Sequence, residues 1–481
     1  MVRHYIIGLL FSCVALVSCH QDTTQEIQKE AGITNTNLVL QNTDDYRQNY
    51  NLSSLGTQKI LVVPCQFEGE QSFTSEMLET LERAFFEENL SSNEDCYYSL
   101  SEYYAKTSIN QLKITGEVTD VIQIPYTVEE VEQSLAYLPG LPAQILMDTV
   151  SDEFLKEYDV NQDGFVDSVC FIYSTPMDGA SNFWAWVSTF DTQPNPDRPE
   201  LKRHLWCGYD SLENDLYNID AHTLIHETGH LLGLRDYYPS DNNNVALGGH
   251  SMMDYNISDH DPYSKMLLSW CDPIYYDFLE NPTITVQLKP FQGTNEVLLL
   301  NVSWNHSVMD EYLLVEYYTP DGLNLLDAQK QYESRPLGFT QAGIKIYHVD
   351  SRIAYCSLNE LTNQIEFNSY VEEIPEEKNS ESDYYIIGAS NNIADSYTNA
   401  SRQGRYKQIQ LIENKEYNFL QSGQTADDDS LFYEGDVFDS NQSVFLTNGL
   451  FNNQEEIDFQ ITVDQLTADY ATLTISYTGG N

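Results

Sequence analysis

Two histidines four residues apart, with a glutamate after the first, open the stretch 226–238, H-E-T-G-H-L-L-G-L-R-D-Y-Y. On a helix His226 and His230 lie one turn apart on the same face. Two neutral imidazole nitrogens can then occupy neighbouring positions on one metal ion. Glu227 falls beside that ion, where its carboxylate can take a proton from a bound water. Gly233 permits a sharp turn after the helix, because Gly adopts positive φ at little cost. The turn can return Asp236 to the ion as a third ligand. The five-residue core alone occurs by chance on ordinary amphipathic helices; the longer pattern H-E-x-x-H-x-x-G-x-x-D is more specific. Zn²⁺ is the expected ion, and metal-assisted hydrolysis the expected chemistry.

Beyond Asp236 an Asn/Gly-rich loop leads to 249–255, G-H-S-M-M-D-Y. In metzincin-type peptidases a methionine turn runs under the metal as an apolar floor, and Met253 is the candidate here. Tyr255 follows two residues later, where a phenol can bind the metal or donate to an oxyanion. His250 and His260 are rival ligands, set aside because Asp236 completes the spacing. His222, one turn before His226, is followed by Thr223 rather than Glu and reads as a supporting or surface residue.

A second cation motif lies upstream at 159–167, D-V-N-Q-D-G-F-V-D. Oxygen ligands at positions 1, 3 and 5 with Gly at 6 match the start of an EF-hand loop. Asp159, Asn161 and Asp163 supply side chains, Phe165 its carbonyl, and Asp167 reaches Ca²⁺ directly or through water. Position 12 is Cys170 instead of Glu, and a strand follows instead of a helix. The alternative is an Asp/Gly turn with no ion.

These motifs need a frame. The run 59–67 (K-I-L-V-V-P-C-Q-F) reads as a buried strand. Helical spacing covers 75–86, 99–106 and 142–158, with Thr74 or Ser75 capping the first helix; 111–124 and 168–173 read as strands. Asp220 is placed to cap the helix that carries His226. From 281 short alternating runs recur at 284–288, 296–302, 312–317, 344–349, 443–447 and 471–477, as in a β-sandwich. The expected division is 1–19 signal peptide, 20–56 polar tether or short pro-segment, 57–280 catalytic domain and 281–481 β-rich region. The fold class is α+β.

Acidic residues outnumber basic ones 74 to 23, a formal charge of −51. Such a surface repels nucleic acid and anionic membranes as partners. The chain opens with an apolar run at 6–17, too short to span a membrane comfortably. L-V-S-C at 16–19 resembles a lipobox, so Cys19 is the expected lipidation site and the expected location is the bacterial cell surface or its exterior. A plain secretory signal is the alternative. Asp44 or Asp45 could block a metal if the polar segment is a pro-segment. The remaining cysteines, Cys65, Cys96, Cys170, Cys207, Cys271 and Cys356, permit fifteen disulfide pairings or buried free thiols.

The chain resembles the immune inhibitor A-like family of bacterial metallopeptidases. The matching stretches are I-L-V-V-P-C-Q-F at 60–67, S-L-S-E-Y-Y-A-K-T-S-I-N-Q-L-K-I-T-G-E-V at 99–118 and Y-D-V-N-Q-D-G-F-V-D at 158–167. H-E-T-G-H-L-L-G-L-R-D at 226–236, S-M-M-D at 251–254 and Y-S-K-M-L-L-S-W at 263–270 follow, then E-Y-L-L-V-E-Y at 311–317 and G-I-K-I-Y-H-V-D at 343–350. Arg235 and Gly249-His250 depart from the family pattern, which bears on the shape of the pocket. The resemblance implies a metzincin-like zinc endopeptidase with His226, His230 and Asp236 as ligands, Glu227 as base and calcium at 159–167. Its partners would be protein or peptide substrates, and the expected oligomeric state is a monomer. The alternative is a catalytically silent surface lipoprotein, stabilised by metals, that binds extracellular protein or glycan.

Overall fold

The computed structural model describes residues 52–479, except 135–137, 180, 240–244, 360, 362–363, 373, 376–379, 381, 393–405 and 441–448. Cys19, the signal peptide, Asp44, Asp45 and the run 443–447 lie outside the described residues.

The amino-terminal half is built on β1 (Gly56–Phe67), β2 (Leu112–Val118), β3 (Ile122–Ile124), β4 (Phe165–Val166), β5 (Val169–Tyr173), β6 (Trp186–Thr189), β7 (Glu200–Leu201) and β8 (Arg203–Gly208). The main sheet has the order β2-β1-β5-β8-β6, with β3 also pairing β1. Its pairings are parallel except β6, an antiparallel edge strand on β8. Both faces of β1 are covered, so its sequence reads as one apolar run. Ile60 and Val62 face one core together with Leu224 and Ile225 of the His222–Leu231 helix. Leu61, Val63 and Phe67 face the other, against Leu146 and Leu155. A period of two thus divides one strand between two layers.

The helix expected at 75–86 forms as Ser75–Phe86, with the Thr74 side chain accepting from the Met77 N–H. The helix expected at 142–158 is two pieces, Gly140–Thr149 and Asp152–Lys156. Ser151 breaks it, because its hydroxyl accepts the Phe154 N–H and starts a new helix. Residues 52–56 fall in the expected tether, yet Leu52 is fully buried and its N–H donates to the Leu231 carbonyl, 2.9 Å away.

The second half holds β9 (Ile274–Tyr275), β10 (Thr283–Leu288), β11 (Val297–Leu300), β12 (Glu311–Tyr318), β13 (Gly343–Asp350), β14 (Ile353–Asn359), β15 (Gln364–Tyr370), β16 (Asp383–Ile387), β17 (Ile409–Ile412), β18 (Val437–Phe438), β19 (Phe459–Leu466) and β20 (Ala471–Tyr477). The sheet β17-β13-β12-β11-β9 is a middle layer. Leu313, Val315, Ile344 and Ile346 face the sheet β10-β20-β19-β18 and share a core with Val286, Ile461 and Leu473. Tyr312, Leu314, Tyr347 and Val349 face the other way, into the core that contains Leu224, Met253 and Met266. That core runs from Leu52 to Leu431 and so draws residues from both sides of position 280. The fold is mixed α+β with several sheets and few helices.

One buried carboxyl near the junction tests this packing. Asp327 is 1% exposed and its Oδ1 has no hydrogen-bond partner among the described residues. Burial pushes its pKa up to about 7, against the pull of Lys345. Above the ordinary carboxylate pKa and below about 7, the folded chain therefore holds a proton that the unfolded chain has lost. Stability falls as pH rises through that window. Asp327→Asn is expected to raise the Tm at pH 8 much more than at pH 5. Equal shifts at both values would assign the effect to shape instead of charge.

Candidate metal centre

The helix carrying the motif spans His222–Leu231. It starts one residue later than an Asp220 cap requires: Ala221 occupies the cap position, and Asp220 Oδ1 accepts the His222 N–H at 2.9 Å from one residue further out. At the other end Gly233 turns the chain with φ +102°. The Leu234 N–H then donates to the Gly229 carbonyl at 2.9 Å, closing the helix. Arg203 of β8 donates from Nη2 to the His230 carbonyl at 2.6 Å and ties the helix end to the sheet.

The turn delivers Asp236 where the spacing places it. Its Oδ1 lies 3.1 Å from His226 Nε2 and 3.2 Å from His230 Nε2. A tetrahedral ion with bonds of about 2.0–2.1 Å sets its ligand atoms about 3.3 Å apart, close to these edges. They are also hydrogen-bond lengths, so a proton can hold the same three groups together. Burial would lower the His230 pKa, yet the Asp236 carboxylate beside it raises it to about 9. Burial likewise opposes ionisation of Asp236, but His230 and His226 hold its carboxyl well below the usual range.

Backbone carbonyls fix both rings. His226 Nδ1 is 2.8 Å from the Met252 carbonyl, and His230 Nδ1 is 2.9 Å from the Leu234 carbonyl. A neutral ring that donates from Nδ1 keeps its Nε2 lone pair for a cation. The donor set therefore fits Zn²⁺: two oriented imidazoles and one carboxylate oxygen. Glu227 belongs to the same cluster: His226, Glu227 and His230 each bring one ligand atom to within 4.8 Å of the others. Glu227 is 8% exposed; burial raises its carboxyl above the ordinary value, against the pull of His230 and His226.

Met253 lies under the helix. A Cβ at Gly229 would stand 2.5 Å from Met253 Sδ, so only glycine lets the turn approach this closely. The Met253 carbonyl accepts the Tyr237 N–H at 2.7 Å. The methionine turn thus supports the site twice, by packing under Gly229 and by holding His226 through the Met252 carbonyl.

A cleft of about 490 Å³ opens over these groups. His222, His226, Glu227, Tyr238, Tyr255 and Arg335 line it, with Met177, Trp184 and Ala185 on the side leading into β6. Tyr255 lines the cleft, stacked on Tyr238 at 5.1 Å. His222 is no surface residue: it lines the cleft, and its Nδ1 is 3.0 Å from the Tyr332 hydroxyl. That hydroxyl donates to Asp220 Oδ2 at 2.5 Å. His250 and His260 stay outside the cluster. His250 Nε2 meets the Ala426 carbonyl at 3.0 Å, and buried His260 faces the rings of Tyr103, Tyr104 and Trp270.

Three contributors were not singled out from the sequence. Tyr238 hydrogen-bonds the Asp236 carboxylate and stacks on His226 at 6.1 Å; its position two residues past Asp236 was the available signal. Tyr332 and Arg335 come from about a hundred residues downstream, and no local spacing marks them.

The 159–167 loop is a tight turn held by its own backbone. Asp159 accepts the Asp163 and Gly164 N–H groups at 3.0 and 3.1 Å, and Asp163 Oδ1 accepts from Phe165 N at 2.9 Å. Asn161 Nδ2 donates to Asp163 Oδ2 at 2.9 Å, and both Asp167 oxygens lie 3.3 Å from Val160 N. Burial first, then Asp159 and Asp163, push the Asp167 carboxyl up to about 7. The three carboxylates do not meet within 4.8 Å as the histidine group does. The Asp-rich turn is formed, and Ca²⁺ there is a matter for titration. All six cysteines among the described residues are buried thiols outside any disulfide. No family model matches the chain, and no curated protein matches it.

Proposed function

We propose that this chain is a zinc-dependent endopeptidase of the metzincin-like, immune inhibitor A-like kind, acting on extracellular proteins. The observation that carries the reading is the convergence of two oriented Nε2 atoms and Asp236 Oδ1 beside a buried glutamate in an open cleft. His226, His230 and Asp236 would hold the ion. Bound there, Zn²⁺ supplies Lewis acidity that brings the pKa of water towards neutrality. Glu227 takes the proton of the attacking water and returns it to the leaving amine nitrogen. Its burial favours both acts, because a raised pKa brings the carboxyl nearer the working pH. Tyr255 lines the same cleft, within range of a substrate to steady the tetrahedral oxyanion. Trp184 and Ala185, which line the cleft, lead into edge strand β6, and a sheet edge of that kind can pair with an extended peptide.

The test is hydrolysis of azocasein by zinc-loaded protein with and without chelator, with metal content measured on the same sample. Activity lost on chelation and restored by Zn²⁺ supports the reading. A zinc-containing protein that cleaves nothing would favour the silent binding lipoprotein. Ca²⁺ at 159–167 belongs to the same proposal as a structural ion. Saturating Ca²⁺ is expected to raise the Tm by about 5 °C over a sample treated with a calcium-selective chelator. Asp163→Ala should erase that difference, and a Tm indifferent to Ca²⁺ in the unaltered chain would remove the ion from the loop. Export and lipidation at Cys19 complete the proposal. Among the described residues no helix is long and apolar enough to cross a membrane.

A further inference from the structure

The cleft has a cationic wall that the hydrolytic chemistry does not use. Arg335 lines it, in a chain with 23 basic residues against 74 acidic ones. Its guanidinium carbon lies 5.2 Å from the centroid of the Tyr255 ring. Tyr255 stacks on Tyr238, and Tyr238 on His226. A column of three rings therefore connects the guanidinium to a proposed metal ligand, a span that a few residues of extended peptide can cover at about 3.3 Å each.

The turn that carries Arg335 is pinned on both sides. Tyr332 bonds to Asp220 and to His222 at the start of the central helix. Pro336 packs so closely on Gly249 that a Cβ there would meet Pro336 Cγ at 2.7 Å. Within the turn, Arg335 N donates to the Tyr332 carbonyl at 3.0 Å, and Gln331 Nε2 donates to the Arg335 carbonyl at 2.8 Å. The backbone that carries the guanidinium is fixed before any ligand arrives, and the Tyr255 ring packs on the guanidinium itself, which lowers the entropy that binding must spend.

Its one carboxylate neighbour in the lining of the cleft is Asp254, whose pKa burial raises to about 7 against the pull of Arg335. Asp254 is buried; its Oδ2 accepts the Gly249 N–H at 2.8 Å, and its Oδ1 has no hydrogen-bond partner among the described residues. The remaining acidic lining, Glu227, is committed to proton transfer. An arginine that lines a cleft beside a carboxyl whose ionisation burial opposes suits bidentate pairing with an incoming carboxylate.

We propose that Arg335 sets the specificity of this cleft by pairing with a carboxylate of the peptide substrate, within a few residues of the bond cut. The carboxylate is an Asp or Glu side chain or the C-terminus of the peptide. This inference rests on the endopeptidase reading and deepens it. The protein's large negative charge repels acidic substrates at long range, so the preference arises from the local pair, not from steering. Arg335 is a specificity determinant and takes no part in proton transfer.

The experiment uses the zinc-loaded full chain and internally quenched peptides that carry Glu, Gln or Lys at each position flanking the bond cut. A parallel set has free or amidated C-termini. Cleavage is read as kcat/KM, and peptide binding as fluorescence anisotropy under chelator. The unaltered protein is expected to favour Glu over Gln at one position by about 10- to 100-fold. A preference for the free C-terminus over the amide would instead identify the terminal carboxylate as the source. Arg335→Gln should bring the favoured ratio close to one, and Arg335→Glu should invert it towards Lys. Cleavage with no carboxylate preference, or a preference that survives Arg335→Gln, overturns this inference and leaves the peptidase reading standing. Carboxylate-selective binding that needs Arg335, with no cleavage of any peptide, overturns the peptidase reading alone. Neither cleavage nor selective binding overturns both.

Discussion

Glu227→Gln is expected to reduce peptide hydrolysis by about a thousandfold while leaving bound zinc unchanged. Glutamine keeps the shape of the buried side chain but cannot accept the proton of the attacking water. Nor can it protonate the leaving amine. The proposed ligands are untouched, since both imidazoles are oriented by the carbonyls of Met252 and Leu234 and Asp236 lies on the far turn. The measurement is kcat/KM on a quenched peptide, with zinc stoichiometry on the same preparation. Retained hydrolysis would refute the base assignment. Loss of zinc together with activity would have a different meaning: Glu227, whose carboxylate lies within 4.8 Å of the ligand nitrogens, would then be a ligand in place of Asp236.

Ending the chain at residue 280 is expected to abolish the fold of the amino-terminal half. Residues 281–481 supply the sheet face on which that half rests. Tyr312, Leu314, Tyr347 and Val349 share one apolar core with Leu224, Met253 and Met266. Removing them would expose that face to water and leave the methionine turn without its backing. Polar contacts fail too. Lys265, 1% exposed, pairs with Asp259 at 2.6 Å and with Asn295 Oδ1 at 2.8 Å. Asn295 also donates to the carbonyls of Thr107 and Trp270, both at 3.1 Å. Truncation strips this buried ion pair of partners, and a buried charge short of hydrogen bonds is strongly destabilising. The fragment 52–280 is expected to be insoluble or to lack a cooperative thermal transition. A soluble fragment that unfolds cooperatively and binds zinc would show that the two halves fold separately.

Local patterns carried much of the structure. The apolar run 59–67 and the helical spacing at 75–86 correspond to β1 and to the helix Ser75–Phe86. The runs 284–288, 312–317, 344–349 and 471–477 lie within β10, β12, β13 and β20. Side-chain period, capping residues and turn glycines act over a few residues, so they are legible in order along the chain. The helix expected at 142–158 failed for an equally local reason, the competing cap at Ser151. The cysteines were undecidable from the sequence because pairing depends on which strands become neighbours.

The sequence by itself determined that the two histidines and Asp236 would come together. His226, Glu227, His230, Gly233 and Asp236 span eleven positions, and a single helix and turn bring them together. Tertiary structure alone decided the rest of the cleft. Tyr332 and Arg335 reach it from a segment about a hundred residues away because the middle sheet packs its second face on the core that holds Leu224 and Met253. The physical reason is range. A helical turn fixes neighbours four residues apart, whereas a wall built by distant segments exists only once apolar burial has chosen which faces meet.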